Sequence, residues 1–138
     1  KQEWFSTIPL YILVIVFIIF VAGFFNYEPV AIVSNSMIPS FARGDLVIYE
    51  TLEQEEYKDL EVGTIIVFNT GGKYIVHRII DKYELNNITY YITKGDNNNT
   101  EDVSPIDHES IMGIYSIDIP LIGYPSIWFN DLLNELIR

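Results

Sequence analysis

Residues 64–83 read TIIVFNTGGKYIVHRIIDKY, and this stretch decides the fold. Its two halves, 64–69 and 74–83, are rich in β-branched and aromatic residues, which favour strands. Between them lies Thr-Gly-Gly-Lys at 70–73, where the paired glycines can adopt the positive φ angles of a tight turn. The stretch therefore predicts a β-hairpin.

Short runs of the same kind lie on both sides of this hairpin. They occupy residues 30–34, 46–50, 88–94 and 111–117. Two asparagines at 86 and 87, a residue type that tolerates the left-handed region, suit a turn before the run at 88–94. This many short strands at regular spacing predicts a mainly β domain, built as an antiparallel barrel or coiled sheet.

The N-terminal part differs in character, because residues 8–25 form an apolar run without charge. As a helix rising ~1.5 Å per residue, the run would extend roughly 27 Å, near the ~30 Å hydrocarbon thickness of a bilayer. Its bulky exit, Gly-Phe-Phe-Asn at 23–26, argues against a cleaved signal peptide. We therefore expect residues 1–27 to be a single transmembrane helix with a cytoplasmic N-terminus, followed by a separate β-rich domain at 28–138.

The C-terminal residues 120–138 alternate apolar and polar positions at near-helical spacing. This pattern predicts a short amphipathic helix that is too charged to cross a membrane. Periodicity does not say which apolar surface covers such a helix. Packing on the β domain and binding along a membrane surface both remain open.

The charge balance limits the possible partners. The chain has 19 acidic against 8 basic residues, a net charge of −11, so nucleic acid is not expected as a ligand. It has no cysteine, which excludes disulfides, cysteine zinc sites and thiol nucleophiles. The acidic segment 51–61 is interpreted as a solvated loop or short helical turn.

A serine-rich turn, Ser34-Asn-Ser-Met-Ile-Pro39, follows the first predicted strand. A serine hydroxyl needs a neighbouring base to act as a nucleophile. His77 lies on the apolar side of its strand, where it is either such a base or a core histidine bonded to the backbone. His108 lies in a polar stretch and is expected at the surface, while composition also leaves Lys73 and Lys94 as candidate bases.

A polar loop at 94–102 offers three carboxylates, Asp96, Glu101 and Asp102. Any of them could accept a hydrogen bond from the base and stabilise its charged form. The alternative is a calcium-binding loop, which would use Asp96, Asn98, Thr100 and Asp107. That alternative lacks the usual glycine and the bidentate glutamate. The residues alone leave the choice open.

Taken in order, several short motifs resemble those of type I signal peptidases, specifically the archaeal and endoplasmic-reticulum branch. They are SNSMIP at 34–39, RGD at 43–45, VHR at 76–78, GDNN at 95–98, Asp102, and IPLIG at 119–123.

The resemblance implies a membrane-anchored serine endopeptidase that cleaves signal peptides. By position, Ser36 corresponds to the nucleophile, His77 to the general base and Asp102 to the acid that orients it. Asp96 corresponds to a further important aspartate of the active site, without an assigned role. Ser34 corresponds to a hydroxyl that forms the oxyanion hole with the backbone N–H of Ser36.

The same resemblance implies a substrate that binds as an extended strand beside residues 30–33 and the strand of His77. It implies no cofactor and no metal, and a location at the plasma or endoplasmic-reticulum membrane with the catalytic domain on the outer or lumenal face. Expected partners are signal peptides of preproteins, the lipid bilayer and the secretion translocon. Two alternatives remain, namely a protease dedicated to one surface or pilin-like substrate, and a non-enzymatic anchored β domain. The expected substrate-binding residues are Val30, Ile32, Met37, Pro39, Ile75 and Val76.

Overall fold

A computed structural model describes residues 3–21 and 26–137 of the chain. The described part is an antiparallel sheet of seven strands in the order β1-β2-β7-β3-β4-β5-β6, with a helix at each end of the chain. The predicted mainly β, antiparallel fold is confirmed, and the sheet ends at β1 and β6. The elements are α1 (Glu3–Val21), β1 (Tyr27–Ala31), β2 (Leu46–Glu50), β3 (Ile65–Thr70), β4 (Lys73–Leu85), β5 (Ile88–Lys94), β6 (Ile106–Asp107), β7 (Ile111–Ile119) and α2 (Tyr124–Leu136).

The predicted transmembrane helix is wrong for the residues that the structure describes. None of the helices within 3–21 and 26–137 combines the length and the apolar character that crossing a bilayer requires. Residues 22–25, the remainder of the predicted span, lie outside the described residues.

The two hairpins form where the sequence places them. Gly71 and Gly72 have φ angles of 58° and 79° in the β3–β4 turn, and Asn86 and Asn87 have 53° and 62° in the β4–β5 turn. These are left-handed conformations that glycine and asparagine adopt more readily than other residues. The hairpins therefore fix the register between neighbouring strands, which pairs Ile66 of β3 with His77 of β4.

The central strand β3 is buried on both faces. Ile65 and Val67 pack into one apolar cluster, whereas Ile66 and Phe68 pack into another. Because alternate residues of a strand point to opposite faces, the two clusters cover the two sides of the sheet. Met37, from the turn that carries Ser36, belongs to the first cluster.

The second cluster is closed by the acidic segment 51–61, which is only partly solvated. Its short 3-10 helix, Glu56–Asp59, buries Tyr57. The Tyr57 hydroxyl accepts a hydrogen bond from the N–H of Leu52 and donates one to the carbonyl oxygen of Met112. Tyr57 therefore attaches this segment to β7, and the Tyr91 hydroxyl of β5 attaches its end by donating to the Tyr57 carbonyl oxygen and accepting the Leu60 N–H.

Two of the unpaired strand edges in the described part belong to β1 and to the first half of β4. Residues 73–77 of β4 pair with β3, and pairing with β5 begins only at Arg78. The strand β1 pairs with β2 alone. Unpaired strand edges expose backbone N–H and C=O groups that an extended peptide can bind.

The C-terminal helix α2 packs on the domain through Ile127, its one buried residue. Packing on the sheet therefore covers only one side of this helix. Its other large apolar side chains are exposed, namely Trp128, Phe129, Leu132, Leu133 and Leu136.

Candidate active site

The turn that carries Ser36 is anchored by its neighbours. Met37 is only 1% exposed, and its carbonyl oxygen accepts the N–H of Ser40 at 2.8 Å. Phe41 is also buried in the same cluster. With both sides of the turn held in the core, Ser36 stays partly exposed at the surface of the domain.

Ser36, His77 and Asp102 lie far apart in the chain and converge at this turn. The Ser36 Oγ lies 3.2 Å from the His77 Nε2, and the His77 Nδ1 lies 2.6 Å from the Asp102 Oδ2. The His77 imidazole is buried, with its ring edge-on to Phe68. The partners of this histidine are therefore side chains, not backbone groups as a purely structural core histidine would have.

This arrangement suits proton transfer. If Nδ1 carries the proton that it donates to Asp102, the unprotonated Nε2 faces the Ser36 hydroxyl and can accept its proton. The carboxylate then lies beside the imidazolium that forms. A hydroxyl, an imidazole and a carboxylate in this order can perform nucleophilic catalysis on an acyl group.

Ser34 lies next to the nucleophile position. Its Oγ is 3.1 Å from the Oγ of Ser36 and 3.5 Å from the Ser36 backbone nitrogen. The Ser36 N–H donates a long hydrogen bond to the Ser34 Oγ, so this hydroxyl and this N–H lie side by side next to the nucleophile position.

Sequence reasoning missed Thr93, which bonds to Asp102. Its side chain is fully buried, and its Oγ1 donates a hydrogen bond of 2.6 Å to the Asp102 Oδ2. The one available signal was strand alternation, which places this hydroxyl on a buried face just before the loop of Asp102.

Asp96 lies in an ion pair instead of beside His77. The Arg78 Nε and Nη2 donate hydrogen bonds of 2.8 and 2.7 Å to its two carboxylate oxygens, and the Ser40 hydroxyl donates one of 2.6 Å. The Arg78 guanidinium holds the pKa of the Asp96 carboxyl below its ordinary value. Through Ser40, this pair connects the strand of His77 to the turn of Ser36.

The loop that carries Asp96 also binds the Ser36 turn directly. The Asn97 N–H donates to the Ser36 carbonyl oxygen at 2.8 Å, and the Asn97 side chain donates to the Asn35 carbonyl oxygen at 3.2 Å. At Gly95 a Cβ atom would lie 2.6 Å from the same Ser36 oxygen. The close approach of the two segments therefore requires glycine at this position.

The Asp96–Arg78 ion pair predicts a pH-dependent contribution to stability. Because the folded-state pKa of Asp96 is depressed, its contribution is fully present above the ordinary value of 3.8 and is lost as the pH falls through the lower folded value. Asp96→Asn should therefore lower the free energy of unfolding by about 1–2 kcal/mol at pH 7. This difference from the wild type should shrink below about pH 4.

Urea unfolding at pH 7, 5 and 3.5 measures this difference. Glu101→Gln is the matched control, because Glu101 is an exposed carboxylate of the same loop. A difference that stays constant or grows at pH 3.5 would contradict the assigned ion pair.

A cavity of about 560 Å³ opens beside Ser36 and His77. It lies between the unpaired edges of β1 and β4, and Asn130 of α2 forms part of its wall. Of the six expected substrate-binding residues, Pro39 is not part of the lining. The other five line the cavity: Val30, Ile32, Met37, Ile75 and Val76.

Neither candidate lysine is a described hydrogen-bond partner of the Ser36 hydroxyl. Lys73 lines the cavity, but the described hydrogen bonds of the Ser36 Oγ are with Ser34 and His77. Lys94 lies at the end of β5, opposite Arg78.

The surface position expected for His108 is wrong, because its side chain is only 4% exposed. The polar sequence around it obscured its burial at the 3-10 helix His108–Ser110, which contacts β5.

The calcium-loop alternative is not favoured either. Asp96 is bound to Arg78, and the Asp107 carboxylate accepts both the N–H and the hydroxyl of Ser110.

The family of the chain follows from comparison with known proteins. A family model described as "Signal peptidase, peptidase S26" matches residues 2–99, more than half of the chain. The chain belongs to this family. The family expected from the motifs is therefore confirmed.

Curated relatives of this family support the predicted branch. A signal peptidase complex catalytic subunit of Dictyostelium discoideum is 40% identical over 112 residues, which cover 74% of this chain and 60% of that protein. The subunit of Metarhizium acridum is 32% identical, covering 74% and 63%, and that of Schizosaccharomyces pombe is 33% identical, covering 74% and 67%. The chain thus spans about three fifths to two thirds of the length of these relatives.

The peptidase S26 match includes Ser36, His77 and Asp96 but ends before Asp102. The family match therefore does not cover Asp102, and its assignment as the partner of His77 rests on the 2.6 Å contact in this structure. That geometry also distinguishes the two aspartates, since Asp96 binds Arg78 and Asp102 binds the imidazole.

Proposed function

We propose that this protein is a serine endopeptidase that removes signal peptides from exported preproteins. Ser36 is the nucleophile, His77 the general base and Asp102 the residue that orients His77. The observation that carries the proposal is the chain of two hydrogen bonds, 3.2 Å from Ser36 to His77 and 2.6 Å from His77 to Asp102. Membership of the signal peptidase family supports the substrate class.

The reaction follows the order of these contacts. The Ser36 Oγ attacks the scissile carbonyl carbon while its proton moves to the His77 Nε2. The Asp102 carboxylate stabilises the imidazolium, which then protonates the leaving amine as the C–N bond breaks. Water, deprotonated by the same imidazole, hydrolyses the acyl–Ser36 ester and restores the hydroxyl.

In this reaction Ser34 and the Ser36 N–H bind the developing oxyanion. Ser34→Ala should lower kcat by about 100-fold with little change in KM, because an oxyanion donor acts mainly in the transition state. Steady-state cleavage of a preprotein measures both constants. Ser104→Ala, at an exposed position outside the site, serves as the control. A Ser34→Ala variant with the kcat of this control would exclude Ser34 as an oxyanion donor.

The substrate binds as an extended strand in the cavity between β1 and β4. Unpaired edges on both sides offer main-chain hydrogen bonds, and the apolar lining suits small side chains at the −1 and −3 positions of the cleavage site. We further propose that Asp96 acts as a positioning residue through Arg78 and Ser40 and does not contact substrate.

The test of this function is cleavage of a preprotein at its signal-peptide junction. Incubation with the purified protein, followed by N-terminal sequencing, should show one cut directly after the −1 residue. A −1 Ala→Phe substitution should slow cleavage by about 100-fold, since the bulky ring cannot enter the pocket. The same change at −2 should have little effect, because alternate side chains of an extended peptide point away from the pocket.

Cleavage at scattered sites, or equal rates for the −1 and −2 substitutions, would contradict the proposal. A panel of preproteins separates it from the alternative of a protease with one dedicated substrate. Processing of a single panel member would favour that alternative.

We infer that the protein acts at a membrane, as part of a signal peptidase complex. Two observations support this inference. The curated relatives are named as catalytic subunits of such a complex, and α2 leaves Trp128, Phe129 and Leu132 exposed on a helix whose Asn130 borders the substrate cavity. Contact of these side chains with lipid would place the cavity near the point where a signal peptide leaves the bilayer. Association with the secretion translocon would supply preproteins at the same place.

A further inference from the structure

The carboxylate of Asp102 is held from two sides. Its Oδ2 accepts the His77 Nδ1–H at 2.6 Å and the Thr93 Oγ1–H, also at 2.6 Å. In the described part of the chain, both hydrogen bonds to this carboxylate thus fall on the same oxygen. Since the carboxylate can only accept, the threonine hydroxyl must be the donor.

Thr93 is itself fixed by the sheet. It is fully buried in β5 and pairs with Ile79 of β4, two residues beyond His77 on the same strand face. Asp102, by contrast, lies in the loop after β5. Its N–H donates to the Thr93 carbonyl oxygen at 2.8 Å. The backbone and the side chain of one strand residue therefore both hold a residue of the loop.

This double attachment has a consequence for the orientation of His77. A carboxylate at a loop position can rotate about its side-chain bonds, and each rotation moves the acceptor away from Nδ1. A short hydrogen bond from a buried hydroxyl that cannot reach water opposes that rotation, because the rotation would leave the hydroxyl unpaired. The imidazole then keeps the orientation in which Nε2 faces Ser36.

We propose that Thr93 is a positioning residue of this active site, whose hydroxyl holds the Asp102 carboxylate in the orientation that accepts the Nδ1–H of His77. The proposal depends on the proposed catalytic function. It assigns to Thr93 a role in the chemical step, because Thr93 lies behind Asp102 and outside the lining of the substrate cavity.

The test compares Thr93→Val, which removes the hydroxyl at nearly constant volume, with Thr93→Ser, which keeps it. Thr93→Val should lower kcat for preprotein cleavage by about 10- to 100-fold with KM within about twofold, since the chemical step loses an oriented base. Thr93→Ser should stay within about threefold of the wild type. Thr89→Val, a threonine on the same strand, is the matched control and should behave as the wild type.

Equal losses in Thr93→Val and Thr93→Ser, or an unchanged kcat in Thr93→Val, would overturn the proposal. A double variant separates positioning from simple loss of structure. In an Asp102→Ala background, Thr93→Val should cost no further activity, because the side chain that it positions is absent. Additive losses would assign Thr93 a structural role only. This comparison also holds if the single Thr93→Val variant fails to fold beside the charged carboxylate.

A second readout keeps this proposal separate from the proposed function. The rate at which a serine-directed phosphonate modifies Ser36 needs no knowledge of the natural substrate. It should fall in Thr93→Val and recover in Thr93→Ser. Failure of the wild type to cleave preproteins, with this labelling pattern intact, would refute the substrate class and leave the role of Thr93 standing.

Discussion

Replacing His77 with alanine should lower kcat for preprotein cleavage by about 10⁶-fold, the loss found when a serine protease triad is deprived of its base. The expectation follows from the 3.2 Å contact between the His77 Nε2 and the Ser36 Oγ. Without the imidazole the hydroxyl keeps its proton and remains a weak nucleophile. Only the oxyanion donors and substrate binding would still assist the reaction. Single-turnover cleavage, with the melting temperature of the variant as a check on folding, measures the effect.

The two candidate lysines provide the controls. Lys73→Ala should change KM more than kcat, because Lys73 lines the substrate cavity, and Lys94→Ala should be close to the wild type. If either lysine variant loses all activity while His77→Ala keeps it, a serine–lysine mechanism must replace the one proposed.

Replacing Asp102 with asparagine should lower kcat by about 10⁴-fold. An asparagine amide can donate a hydrogen bond to Nδ1, which favours the tautomer that carries its proton on Nε2. That proton would then point at Ser36 and prevent Nε2 from accepting the hydroxyl proton. The fold should persist, since asparagine has nearly the size of aspartate and the Thr93 hydroxyl can turn to accept the second N–H of the amide.

Two other carboxylates of the same loop make this prediction specific. Glu101→Gln should be close to the wild type, and Asp96→Asn should reduce stability more than kcat. If Asp96→Asn costs more in kcat at pH 7 than Asp102→Asn, the roles assigned to the two aspartates are reversed.

Much of the sheet could be predicted because individual strands and hairpin turns are encoded by residues close together in the sequence. The run at 46–50 coincides with β2, that at 88–94 with β5, and the Gly-Gly and Asn-Asn turns lie where the hairpins turn. The strand order could not be predicted in the same way. The last long strand, β7, inserts between β2 and β3, a pairing between segments distant in sequence that no local pattern encodes.

The candidate site was predictable only in part. Motif order singled out Ser36, His77 and Asp102, and their convergence agrees with that expectation. The partner of Asp96 was not predictable, because Arg78 is 18 positions away and the ion pair exists only once β4 and the loop meet. Thr93 escaped notice for a similar reason. A hydroxyl in a strand becomes informative only when its acceptor is known.

The errors share a physical cause, since each took a local composition as a guide to the environment. The run at 8–25 is apolar throughout, but none of the described helices is long and apolar enough to cross a bilayer. Polar neighbours suggested a surface position for His108, and acidic neighbours suggested solvation around Tyr57, yet both side chains are buried. Tertiary packing can bury one residue of a polar segment, so the average polarity of the segment does not determine the burial of each residue in it.

The central claim is that Ser36 is a nucleophile made reactive by His77, and covalent labelling tests it most directly. The protein is incubated with a serine-directed phosphonate, digested, and mapped by mass spectrometry. We expect a single adduct on Ser36, which is absent in Ser36→Ala and forms at least about 100-fold more slowly in His77→Ala. An adduct on another residue, or equal labelling of Ser36 in the wild type and in His77→Ala, would contradict the claim.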